Sequence, residues 1–293
     1  MLNRSILLIL TMTLCLIWHI PAKAVDLNKS DKNTITWHIF EAPPLIITKG
    51  EERDTGIVDG VRHLLQENIP KYSHVESKLP YKRFLLYAKQ GMNICTPYLF
   101  KTAERENFLI FSKPAIVFPG LKVILRKETY EKLNFKSELS IQKLFKNHKL
   151  RLATNKVRTY GPVIDSVVSK YEKKQLITRH TGSTSLVFRL LSAKRADFMI
   201  DFPNRIKYWA QELNVNEDDY ISVPISEEYK SKISYIACPN TKWGKEVINR
   251  VNTVLDKSIP TQKYLSILQR WSSDYHLDEI EDLYHRYLNK DSL

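Results

Sequence analysis

The 293-residue chain is short of the signatures that betray a metal centre. Its three cysteines form no C-x-x-C, its eight histidines do not cluster, and no H-E-x-x-H occurs. The residues therefore offer neither a metal site nor a cofactor site. No internal repeat or low-complexity tract stands out, and no stretch rich in Pro or Gly separates the two halves. That absence argues against two beads on a string and for lobes joined by crossing strands. After the first two dozen residues no further long apolar run occurs, so nothing there reads as a membrane span. The formal charge is +13, but no long Lys/Arg run exists and acids are interleaved throughout. Solubility and cell-envelope electrostatics account for such a surface better than a nucleic-acid stripe does.

What is present begins with a compartment signal. Asn3 and Arg4 precede a nearly unbroken apolar run from Ser5 to Ile20, then Pro21 and Ala22-Lys23-Ala24. This is the pattern of a secretory signal peptide cleaved after Ala24, with an uncleaved anchor as the alternative. Cys15 follows Met12-Thr13-Leu14, which is not a lipobox. Cleavage removes Arg4 and Lys23 and no acid, lowering the charge from +13 to +11. The mature chain is expected in the periplasm, as a monomer. Cys95 and Cys238 remain there, in apolar strand-like runs, and an oxidising compartment leaves both a bridge and two buried thiols open.

Periodicity gives an α/β grammar. Thr34 to Phe40 alternates, with Ile35, Trp37 and Ile39 on one face and Thr36 and His38 on the other, until Pro43-Pro44 stops it. Helical spacing follows over Gly56 to Leu65 and Arg83 to Lys89, then a strand over Met92 to Thr96. Strands at Leu121 to Leu125 and Ile233 to Cys238 suit chain crossings between lobes. Between them, strands at Leu150 to Ala153, Leu176 to Arg179 and Ala196 to Ile200 alternate with helices Val163 to Lys170 and Ser185 to Ser192. Closing helices are expected over Lys245 to Asp256, Gln262 to Trp271 and Asp278 to Leu288. Ser140-Ile141-Gln142-Lys143 matches Ser-x-x-Lys, but without Ser-Asp-Asn or Lys-Thr-Gly it reads as a helix start capped by Ser140.

One stretch carries more than grammar. Thr102-Ala103-Glu104-Arg105 follows the Met92 to Thr96 strand and precedes Phe111-Ser112-Lys113-Pro114. With Ala42-Pro43-Pro44-Leu45, Gly56-Ile57-Val58-Asp59-Gly60, Leu191-Ser192-Ala193-Lys194-Arg195-Ala196-Asp197 and Trp271, it resembles the family 3, amino-acid type, of extracytoplasmic solute-binding proteins. The order and spacing of these segments, over nearly the whole mature chain, carry the resemblance. It implies a two-lobed periplasmic binding protein type 2 fold, a venus flytrap with two crossing hinge strands and a mixed sheet in each lobe. The implied division is 1–24 signal peptide, 25–120 with 236–293 as the first lobe, and 121–235 as the second.

The resemblance also implies a ligand site. Arg105 stands where the family grips a carboxylate with a planar fork of donors. Asp201 stands where amino-acid binders hold the ligand's ammonium, with capping of the next helix as its alternative role. Arg158, Thr159 and Tyr160 open the Val163 helix, whose N–H groups would suit an oxyanion. Tyr81 and Arg83 are placed at the cleft rim; Arg158 left exposed and Arg83 in a local pair are the plainer readings. The chain also departs from the family. Tyr98-Leu99-Phe100 replaces a small residue and a hydroxyl, and Glu41, after Phe40, replaces an aromatic lid. It resembles a divergent branch that captures a small polar solute, amino-acid-like or an organic anion, and delivers it to a membrane permease or a sensor. A dehydratase-like lyase using Glu41 or Asp201, or a sensory module without transport, are the other functions this scaffold admits.

Overall fold

The computed structural model describes residues 31–133, 138–182, 184–227 and 230–289; the expected signal peptide, residues 1–24, lies outside them. In chain order the strands are β1 (Thr34–Ile39), β2 (Ser73–Lys78), β3 (Ile94–Leu99), β4 (Leu109–Phe111), β5 (Ile116–Phe118), β6 (Lys122–Arg126), β7 (Leu152–Asn155), β8 (Ile177–His180), β9 (Phe198–Asp201), β10 (Tyr220–Pro224) and β11 (Lys232–Pro239). The helices are α1 (Ile57–Asn68), α2 (Tyr81–Lys89), α3 (Ala103–Glu106), α4 (Lys127–Leu133), α5 (Ile141–Lys146), α6 (Pro162–Glu172), α7 (Thr184–Ser192), α8 (Arg205–Leu213), α9 (Lys242–Ser258), α10 (Gln262–Gln269) and α11 (Leu277–Tyr287).

Two mixed sheets result. One runs β2-β1-β3-β11-β4 with β5 also on β11; the other runs β10-β6-β9-β7-β8. The chain leaves the first sheet after Phe118, enters the second at Lys122, and returns between Pro224 and Lys232. β1, β2 and β3 pair in parallel, and β11 closes against β3, β4 and β5 antiparallel. In the second sheet β7, β8 and β9 are parallel, while β6 pairs antiparallel with β9 and β10. The alternation in β1 holds, and Thr36 and His38 on one face are buried like Ile35 and Trp37 on the other. β1 is an inner strand covered on both sides, and the His38 ring stacks 4.5 Å from Phe84 of α2.

The short sequence motifs have local structural work. The Asp59 carboxylate is buried at the start of α1, where it accepts the N–H groups of Ile47 (2.8 Å) and Gly56 (3.2 Å). Ser112 Oγ accepts the Ile236 N–H at 3.0 Å, tying the Phe-Ser-Lys-Pro turn to β11. Asp197 accepts Arg151 N–H and Nε–H at 2.8 and 3.1 Å, fixing the entry to β7. Lys194 adopts φ +57°, the left-handed region that favours glycine. Ser140 Oγ accepts the Lys143 N–H at 3.2 Å, a helix cap as expected.

Two further ties join the parts. Cys95 of β3 and Cys238 of β11 form a disulfide across 143 residues of sequence, which settles the two alternatives left open. Beside the crossing strands, His276 lies between Ser222 of β10 (Nε2 to Oγ, 2.5 Å) and Glu279 (Nδ1 to Oε2, 3.2 Å). Lys122 of β6 reaches the same Glu279 oxygen at 2.6 Å. The segment that starts α11 is thus fastened to the second sheet, while α11 packs on β5 and α10.

Two outcomes are expected. Closing so long a loop should be worth about 3–5 kcal/mol of chain entropy. The Cys95→Ala, Cys238→Ala double variant should therefore show a clearly lower denaturant midpoint; an unchanged midpoint would sink that account. Burial also holds His38, His74 and His276 below the ordinary histidine value. Below about pH 6.5 the unfolded chain then binds more protons than the folded one, so stability falls as pH drops. Urea unfolding should give a lower free energy at about pH 5.5 than at about pH 7.5. His276→Gln should narrow that difference, and an undiminished one would show that His276 takes no part.

Candidate functional site

In open α/β sheets, ligands meet the carboxyl ends of the parallel strands. Here the ends of β1 and β3 in one sheet face those of β7 and β9 in the other. The space between them is a cavity of about 940 Å³. Its lining includes Phe40, Tyr98, Phe100, Thr102, Arg158, Thr159 and Tyr160 among the expected regions, joined by Phe202, Arg205, Lys232 and Tyr235.

Asp201 ends β9 and is buried beside this cavity. Its carboxylate accepts the Phe202 N–H at 2.9 Å and Arg158 Nη2 at 3.0 Å. Arg205, one helical turn on at the start of α8, approaches the same oxygen with Nε at 3.7 Å. Arg205 is nine-tenths buried, yet among the described residues its Nε finds no hydrogen-bond partner. Burial pulls it below the ordinary arginine value, with Asp201 opposing. Asp201 in turn raises Arg158. Two guanidinium groups thus share one carboxylate, leaving one unneutralised positive charge and unused donors at the cavity wall. Burial pushes the phenols of Tyr98 and Tyr160 up to about 12, so both stay neutral there.

The remaining expected residues divide. The Tyr160 hydroxyl bonds Thr154 Oγ1. The N–H groups of Tyr160 and Gly161, expected to receive an oxyanion, instead donate to Asp165 at 3.0 and 3.3 Å. An acid in the first turn of α6 has filled that helix start. Arg105 does not line the cavity, although Thr102, Ala103 and Glu106 do. Its Nη1 donates to the Phe100 carbonyl at 2.5 Å, and its guanidinium lies 5.8 Å from the Tyr81 ring centre. Arg83 is exposed on α2 and lines neither compartment. Phe40 stacks on His38 at 5.5 Å and faces the cavity.

Beyond Arg205 and Ala42, which line both, lies a second compartment of about 610 Å³. Glu41 belongs there, with Lys49, Asn155, Arg189, Tyr208 and Glu212. Its carboxylate accepts the Thr48 N–H at 3.1 Å and pairs with the Thr48 hydroxyl. No group of three or more His, Cys, Asp or Glu among the described residues is placed to hold a metal ion, and no described helix is long and apolar enough to cross a membrane.

Arg205 was not picked out from the sequence. The only signal was its spacing: an Arg four residues after Asp201, on the far side of Pro203.

The architecture is that of the two-lobed periplasmic binding proteins, as solved structures show. The probable amino-acid ABC transporter extracellular-binding protein YtmK of Bacillus subtilis is 17% identical, with a TM-score of 0.61 over 83% of this chain and 98% of that one. An ancestral cationic amino acid solute-binding protein is 15% identical, with a TM-score of 0.62 over 84% of this chain and 99% of that one. The periplasmic VFT2 domain of BvgS from Bordetella pertussis is 16% identical, with a TM-score of 0.55 over 82% and 94%. No protein-family model matches the sequence, and no curated protein does.

Asp165→Ala leaves the Tyr160 and Gly161 N–H groups unpaired. It should cost about 1–2 kcal/mol, a fall of a few degrees in melting temperature. An unchanged melting temperature would mean that water serves those groups equally well.

Proposed function

We propose that this chain is an extracytoplasmic solute-binding protein that captures a small polar solute bearing negative charge between its lobes. The observation that carries the reading is Arg205, buried at the junction, sharing the Asp201 carboxylate with Arg158, its Nε 3.7 Å from that carboxylate and unpaired among the described residues. Such a group is stabilised by an anionic ligand, and a ligand held by both lobes favours the closed form. The solved neighbours support the role: a probable transporter binding protein and an ancestral solute binder share the fold. In this reading the signal peptide delivers the chain to the periplasm, residues 25–120 with 236–293 form one lobe and 121–235 the other, and the monomer serves a permease.

A sensory role is the second reading, favoured by the periplasmic domain of BvgS and by a histidine kinase sensor domain, 12% identical with a TM-score of 0.57. A lyase has less behind it. Asp201 is engaged by two arginines and Glu41 by Thr48, so neither stands ready as an acid or base at the cavity.

A thermal-shift screen across organic acids, amino acids, sugars, polyamines and short peptides tests the proposal. A ligand at 100 times its Kd adds about 2.7 kcal/mol, a rise of several degrees. Anionic solutes should give the shift, and Arg205→Gln should abolish it. Shifts from sugars or polyamines alone, or full binding by Arg205→Gln, would overturn the anionic reading.

A further inference from the structure

Building on the cleft as the solute site, we infer that its ligand is a carboxylate on a flat aromatic body, without an ammonium group. Three observations carry this. First, Asp201, the acid expected to meet an ammonium, is buried and already receives Phe202 N–H and Arg158 Nη2, with Arg205 close by. All three meet at Oδ1, and a ligand ammonium reaching this carboxylate would lie beside two like charges. Second, the charges facing the cavity favour an anion. Besides Arg158 and Arg205 they are Lys101 and Glu106, paired at 3.2 Å, and Lys232. The planar fork of Arg205 suits two carboxylate oxygens better than a single lone pair.

Third, the wall that would hold the rest of the ligand is aromatic: Phe40, Tyr98, Phe100, Tyr160, Phe202 and Tyr235. The Tyr98 ring meets Phe100 and Phe118 edge-on at 5.3 and 5.8 Å, and Phe118 lies 6.0 Å from Phe202. Phe118, buried behind the wall, joins the Tyr98 and Phe202 rings that line the cavity. Offset and edge-to-face contacts favour an aromatic guest over an aliphatic one of equal area. Phe100 has no hydroxyl to offer a polar main-chain-like group.

Isothermal titration of the purified protein with phenylacetate, phenylpyruvate, phenylalanine and hexanoate decides the matter. Phenylacetate or phenylpyruvate should bind at least about tenfold tighter than phenylalanine and hexanoate, a difference of about 1.4 kcal/mol. Asp201→Asn, which frees both guanidinium groups, should tighten the aromatic acids severalfold; should it fail to fold, the wild-type ranking stands as the test. Phenylalanine binding as tightly as phenylacetate, or weaker phenylacetate binding in Asp201→Asn, overturns the inference and leaves the cleft reading intact. Hexanoate binding as tightly as the aromatic acids overturns the aromatic specificity alone. No heat from any of the four, together with a hit from another class in the thermal screen, overturns this ligand class; no hit in either overturns both readings.

Discussion

Everything in the first lobe depends on where β11 goes. It is the last of the described strands, yet it lies inside the first sheet, paired with β3, β4 and β5. An inner strand must have its backbone groups met on both sides, and β11 meets them only after the chain has crossed to the second sheet and come back. The Cys95–Cys238 bridge and the Ser112 to Ile236 hydrogen bond both secure this strand, one on each flank. α9 follows directly and packs on it. The closing helices are thus a lid over a seam whose position β11 sets.

The cleft inherits its chemistry from that arrangement. Strand carboxyl ends from both sheets are brought face to face, so side chains far apart in sequence share one space. Its dominant charge pattern is a conflict: two guanidinium groups share one buried carboxylate. Removing Asp201 would leave two guanidinium groups without their shared carboxylate. The aromatic wall adds low polarity beside them, and electrostatic attraction for an incoming anion is stronger there than in open water.

Much of the fold was legible because its segments obey simple periods. Inner strands such as β1, β3 and β9 are rich in Ile, Trp, Phe and Cys, and the longer helices α1 and α9 carry clear apolar faces. β2, Ser-His-Val-Glu-Ser-Lys, was not legible, because an edge strand with one partner has no apolar pattern to show. β4 and β5, three residues each, are too short to express a period. At the site, the regions around Phe40, Tyr98, Arg158 and Asp201 were visible through family likeness, whereas Arg205 was not. Its role comes from the sharp turn at Phe202-Pro203-Asn204, which points the first turn of α8 back at β9. Arg105 shows the reverse limit: the motif was plain, but the backbone carbonyl of Phe100, five residues earlier, claims one of its donors.

The His276 cluster bears on how the two sheets are joined. Two strand crossings alone define an axis but allow the sheets to twist as well as to swing. Fastening the start of α11 to β6 and β10, with the helix body resting on β5, adds a side-chain pin at that axis. The cleft between Tyr98 and the Arg158, Arg205 pair thus sits beside a joint held by side chains far from it in sequence.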